Sequence, residues 1–161
     1  MKYLYTITLS VLLLSCANTN QSVVKSDDEL SSTITLLFDK YVANDFELSN
    51  YYADDVIARV NNQELNGYEN LIAGYKAHHE LLYDNISVDE LYVHTNYFSD
   101  GEVWSNSWFT WSAVGKTTGE EYTNRAHFDY KWENGKIVEL LAYYSEYADL
   151  KESAALQAAQ E

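Results

Sequence analysis

Residues 86–147 read ISVDELYVHTNYFSDGEVWSNSWFTWSAVGKTTGEEYTNRAHFDYKWENGKIVELLAYYSEY. Four runs rich in aromatic and β-branched residues are separated by Asp100-Gly101, by Lys116-Thr117-Thr118-Gly119 and by Asn134-Gly135. Asp-Gly and Asn-Gly accept the positive φ angles of tight hairpin turns. The spacing predicts strands over 86–98, 102–114, 120–132 and 136–147, joined as an antiparallel meander. The chain has no proline, so nothing in these runs removes a ladder donor.

Period-two alternation assigns faces. Ala126, Phe128, Tyr130 and Trp132 share one side of their strand, and Arg125, His127, Asp129 and Lys131 share the other. The apolar set is expected to line the core and a pocket. The polar set is expected on a solvated or dimer-facing surface, and a slip of one residue would invert both. Trp104 and Trp108 oppose Phe109 and Trp111. Tyr92, His94 and Asn96 oppose Val93, Thr95 and Tyr97. Val138, Leu140, Ala142 and Tyr144 are expected inside on the last strand.

Upstream of the meander the period changes to that of helices. Asp27-Asp28 suits a helix cap, and Leu30, Ile34, Leu37, Phe38 and Tyr41 follow at helical spacing to about Asn44. A short helix is expected over 48–52 and a strand over 56–60. Asn66-Gly67 breaks the chain and caps a further helix with an inner stripe of Leu71, Ile72, Tyr75, His79 and Leu82. Helices first and a meander second make the class α+β, in one domain over 27–147.

Residues 1–15 carry one positive charge at Lys2 and then a mostly apolar run too short to span a bilayer. They read as a signal peptide. Leu13-Leu14-Ser15-Cys16 resembles the bacterial lipobox, which implies cleavage before Cys16 and lipid on its thiol. Cys16 is the only cysteine, so the mature domain would hold no free thiol. Residues 16–26 are expected to tether the domain to the membrane through that lipid, in the cell envelope (the outer membrane if the source is Gram-negative). Residues 148–161 read as an Ala-rich, frayed tail. Net charge is −15, and losing Lys2 with the signal would make it one unit more negative. Such a surface repels phosphate backbones, which argues against nucleic acid as a partner.

Several short stretches, in this order, resemble the SnoaL-like group of the nuclear-transport-factor-2-like superfamily, which includes ketosteroid isomerase. They are Phe38-Asp39-Lys40-Tyr41, then Tyr52-Ala53-Asp54-Asp55-Val56, then Gly67 with Glu69-Asn70-Leu71, and last Trp132-Glu133-Asn134-Gly135-Lys136-Ile137-Val138. The resemblance covers about residues 30–150. It implies a curved antiparallel sheet wrapped around N-terminal helices, forming a cone that opens on an apolar pocket. It also implies possible homodimers through the sheet. The group holds isomerases, dehydratases, cyclases, hydrolases and proteins with no known reaction, so the fold does not name the function.

Ketosteroid isomerase resemblance further implies a carboxylate base, a tyrosine and a protonated aspartate. Counting along this chain puts those positions at Val60, near Leu37, and at His127 or Phe128, so the set is not intact. The remaining acid/base candidates are His127, His94 and Tyr41. The expected pocket wall is Leu37, Tyr41, Val60, Tyr75, Trp111, Phe128, Tyr130, Leu140 and Tyr144. No metal-ligand spacing occurs, and neither metal nor cofactor is expected. Three readings stay open: a lipid-anchored binder of a small apolar or aromatic molecule, a cofactor-independent acid/base enzyme, and a structural protein that dimerises through its sheet.

Overall fold

The computed structural model describes residues 21–161. The expected signal over 1–15 and the expected lipid site Cys16 lie outside the described residues. In chain order the elements are β1 (Val23–Lys25), α1 (Glu29–Val42), β2 (Tyr52–Val60), β3 (Gln63–Asn66), α2 (Tyr68–Ala77), β4 (Tyr83–Tyr97), β5 (Val103–Gly115), β6 (Glu121–Glu133), β7 (Lys136–Tyr143) and α3 (Tyr147–Ala158). A π-helical turn, His78–Leu82, joins α2 to β4.

The four-stranded meander β4 to β7 forms as its turn residues require. Asn134 (φ 51°) and Gly135 (φ 77°) both take left-handed backbone angles, the pair that a two-residue I′ hairpin needs. The full sheet runs β1-β4-β5-β6-β7-β2-β3. All neighbours are antiparallel except β2 and β7, which are parallel. Two register shifts interrupt β4, between Asp84 and Ser87 and between Asp89 and Tyr92. Asn85 (φ 53°) and Glu90 (φ 52°) sit at these bulges. Bulges bend a strand and raise its twist. The long sheet thereby curls around the helices into the expected cone.

Helix α1 starts at Asp28, whose carboxylate accepts the Ser31 N–H at 3.0 Å. Ser31, Ile34, Leu37 and Phe38 form its buried face. Burying a leucine or isoleucine contributes roughly 1.5–3 kcal/mol, so this stripe holds the helix on the sheet. A polar thread fixes its register as well. Ser31 Oγ lies 2.9 Å from Thr95 Oγ1, which lies 2.8 Å from Ser105 Oγ, and the Trp132 indole N–H donates to Ser105 at 2.8 Å. Each buried hydroxyl has a partner, which removes the penalty of burial and leaves one allowed arrangement.

Four local expectations need correction, and one strand falls outside them. The helix expected over 48–52 is a single turn, because Tyr52 is drawn into the sheet opposite Ile137. Strand β3 was hidden in the polar run 63–66; it forms because Asn61 (φ 50°) turns the chain back on β2. Residues 23–25 of the expected tether pair with β4. Val138 sits in a bulge, so Ile137 takes the inner position and is fully buried. Finally, the tail expected to fray is helix α3, docked through Ala148 and Glu152. Among the described residues no helix is long and apolar enough to cross a membrane.

Candidate functional site

Between the concave sheet face and the helices lies a cavity of about 220 Å³. Leu37 and Tyr41 of α1 and Tyr75 of α2 face it from the helical side. Val60 of β2, Trp111 of β5, Phe128 and Tyr130 of β6, Leu140 of β7 and Tyr144 beyond β7 face it from the sheet side. The alternation of the strands and the helical stripe thus bring together all nine residues assigned to the wall. Two small features keep the space open. Ala126 of β6 leaves a low place between larger neighbours. Gly74 of α2 has nothing within 4 Å of where a Cβ would stand. A glycine inside a helix costs roughly 1 kcal/mol against alanine, a local cost that here accompanies an open wall.

Val60, Leu37 and Phe128 all face the cavity. The isomerase set would need a carboxylate at Val60 and oxyanion donors near Leu37 and at His127 or Phe128; of that last pair Phe128 is the one that faces the cavity, so each cavity-facing position carries an apolar side chain. A linked group of polar side chains stands at one end, and Gln63, Tyr75, Asn124, Tyr130 and Ser145 also line the space. The Trp111 indole N–H donates to the Tyr41 hydroxyl oxygen at 3.2 Å, and Tyr41 Oη lies 2.9 Å from His78 Nδ1. His78 Nε2 lies 3.9 Å from Asp149 Oδ1, which also accepts the Tyr83 hydroxyl at 2.6 Å. Burial pushes the His78 pKa down against the pull of Asp149, so the ring is neutral near pH 7. With its oxygen already accepting from Trp111, Tyr41 donates its proton to Nδ1, and the ring N–H is then at Nε2, towards Asp149. Burial, with the field of Asp149 added, holds the Tyr41 and Tyr144 phenols well above the usual range, and both stay protonated.

Of the three acid/base candidates from the sequence, only Tyr41 reaches the cavity. His127 and His94 stand on the outer sheet face, a correction that follows from strand alternation, since Ala126 and Phe128 point inward beside His127. There His94 and His127 sandwich Trp108 with ring centroids 5.3 and 4.5 Å away. His127 Nε2 is 2.7 Å from Asp129 Oδ1 but too poorly aligned to form a hydrogen bond. Tyr92, Trp108 and Tyr143 flank them and are exposed.

His78 and Asp149 were missed. The sequence pattern put His79 on the inner stripe. The π-helical turn inserts at this point and presents His78 to the cavity, while His79 packs on Tyr41 and Phe46. Such turns shift every following side chain around the helix axis and are common at functional sites. Asp149 comes from α3, whose sequence has no apolar stripe to reveal that it docks. Among the described residues no three His, Cys, Asp or Glu side chains gather as a metal site.

No family model matches the chain, and no curated protein matches it. Solved structures do match. A candidate polyketide cyclase from a Silicibacter species superposes with a TM-score of 0.63 at 19% identity, over 76% of this chain and 93% of that one. A Burkholderia pseudomallei protein described as NTF2-like and of unknown function gives 0.57 at 15% identity, over 74% and 93%. A Catenulispora acidiphila protein with a ketosteroid isomerase-like fold, in complex with trimethylamine, gives 0.55 at 17% identity, over 75% and 91%. Further neighbours are described as SnoaL-like. The fold is therefore the NTF2-like, SnoaL-like α+β cone. At these identities the likeness fixes architecture and leaves the reaction open.

Proposed function

We propose that this chain is an exported, lipid-anchored envelope protein whose cone binds one small molecule with an apolar body and a polar head. The observation that carries the binding reading is the cavity itself: mostly apolar, with a linked group of hydrogen-bonding side chains at Tyr41, His78 and Asp149. Binding sites for small organic molecules have this composition, mostly apolar with a few convergent polar groups. The trimethylamine complex of a fold neighbour supports the use of such a cone for small molecules. Native mass spectrometry against a panel of small aromatic and aliphatic metabolites is expected to give one ligand per chain. A panel without any binder would defeat the reading.

The anchor rests on the lipobox-like end of the apolar run and on the lone Cys16. Growth of a bacterial host expressing the full chain with a clickable fatty acid should label the wild type. Cys16→Ser should lose the label and accumulate as precursor. Equal labelling of both would exclude lipid at Cys16.

The second reading, an acid/base enzyme, is favoured by one observation: His78 is neutral, lines the cavity and is held by Tyr41 on one nitrogen with Asp149 beyond the other. With Nδ1 accepting from Tyr41 and the N–H at Nε2, a substrate proton passes to the Tyr41 oxygen as the Tyr41 proton moves to Nδ1, and Asp149 beyond Nε2 stabilises the imidazolium that forms. If turnover of any cavity ligand is found, His78→Gln should lower kcat by roughly 100-fold or more with KM nearly unchanged. An unaffected kcat would remove His78 from the chemistry.

A further inference from the structure

We infer that the molecule this cavity takes is an amine, bound as its ammonium cation with an apolar body. The inference rests on the small-molecule reading above and specifies its polar head. Among the described residues that line the space, Asp149 is the only acid, and none is a lysine or arginine. His78, the one group placed to offset it, is kept neutral by burial. The partner that Asp149 has, the Tyr83 hydroxyl, is neutral as well. The carboxylate, its side chain 27% exposed, therefore stands beside a mostly apolar cavity with a hydroxyl partner and no lysine or arginine lining the space with it.

That arrangement sorts ligands by the sign of the head group. An anion would meet Asp149 inside and a chain of net charge −15 outside. A neutral head would gain a hydrogen bond but nothing from the charge. An ammonium recovers the Coulombic interaction that the site leaves unused, in surroundings less polar than water. The aromatic residues around Asp149 add to this. Tyr41, Trp111 and Tyr144 line the same end, and a cation over an indole or phenol face gains roughly 0.5–2 kcal/mol from the ring quadrupole. The apolar remainder of the cavity, with Phe128 and Leu140, suits an aryl or alkyl body.

Isothermal titration with three probes of one shape tests the sign directly: 3-phenylpropylamine, 3-phenylpropan-1-ol and 3-phenylpropionate, at an ionic strength of about 0.15 M to screen general attraction to the acidic surface. The amine is expected to bind one per chain and at least about tenfold tighter than the alcohol, with the carboxylate weakest. Asp149→Asn, which changes the net charge by a single unit, should erase the preference and leave alcohol binding in place. The comparison on the wild type needs no variant, so instability of Asp149→Asn would not shelter the inference. Alcohol binding as tight as the amine, or a preference that survives in Asp149→Asn, would overturn the ammonium site alone. Failure of all three probes would overturn the pocket reading with it.

Discussion

Replacing Glu152 by alanine is expected to destabilise the domain by about 3 kcal/mol and to release α3 from the cone. Glu152 has no exposed surface. Its carboxylate accepts the Tyr122 hydroxyl at 2.8 Å, the Thr117 N–H at 3.1 Å and the Thr118 N–H at 3.4 Å, together with the Thr118 hydroxyl. Hydrogen bonds to a charged acceptor contribute roughly 1.5–3 kcal/mol each, and some of these donors would find water once the side chain is gone, which sets the total near 3. The turn that supplies them depends on Gly115, because a Cβ there would collide with the same carboxylate. Burial raises the Glu152 pKa, but the hydrogen bonds outweigh it and the net shift is downward. A carboxylate depressed on folding stabilises fully above its unfolded value, near 4.5, and loses that contribution as pH falls through the folded value. The wild type should accordingly weaken below about pH 4.5, while Glu152→Ala should show a flatter acid limb. Denaturant unfolding at pH 7 and pH 3.5 measures both effects, and amide exchange should rise first in α3. A loss below about 1 kcal/mol at pH 7 would mean that α3 is not held by this carboxylate.

The same dock explains which parts of the site the sequence could reveal. The sheet wall was readable because alternation is a strict two-residue rule and the turns at Asp100-Gly101 and Asn134-Gly135 leave little choice of register. Tyr41 was readable because Leu37 and Tyr41 lie one turn apart on a stripe that must face the sheet. His78 and Asp149 were not readable, for two separate reasons. A π-helical turn changes the helical period within one segment, and the residues His78 to Leu82 do not announce it. Helix α3 docks by a buried acid, Glu152, and one small residue, Ala148, so it has no apolar period to show. His127 and His94 drew attention as histidines on strands, yet alternation itself puts them outside once Phe128 is inside. The grouping of Tyr41, His78 and Asp149 depends on two local irregularities meeting a regular helical stripe at one end of the cone.

Filling the cavity separates binding from folding more cleanly than removing any polar group, because it adds atoms where none now stand. Ala126→Phe should abolish ligand binding, with affinity reduced at least about 100-fold, or about 2.7 kcal/mol. Ala126 lies across from Phe109 on β5 and next but one to Phe128, on the face that looks into the space of about 220 Å³. A phenyl ring in place of the methyl projects into that space and takes the volume a ligand body would use. Large residues forced into a filled core cost roughly 1–3 kcal/mol through strained rotamers and backbone shifts. Here the ring meets a void, so that cost should be small, and added burial of roughly 25 cal/mol per Å² can offset it. The expected pair of results is therefore lost binding with a Tm equal to or above that of the wild type. Both readings of a functional cavity, as a binding site or as an enzyme, require the first result. A merely structural cone predicts a different pair: its centre would be packed in solution by rearranged side chains, and the substitution would lower Tm by the overpacking cost with no ligand to lose. Calorimetric titration and thermal unfolding of the same sample distinguish the two, and a variant that still binds with wild-type affinity would place the ligand elsewhere.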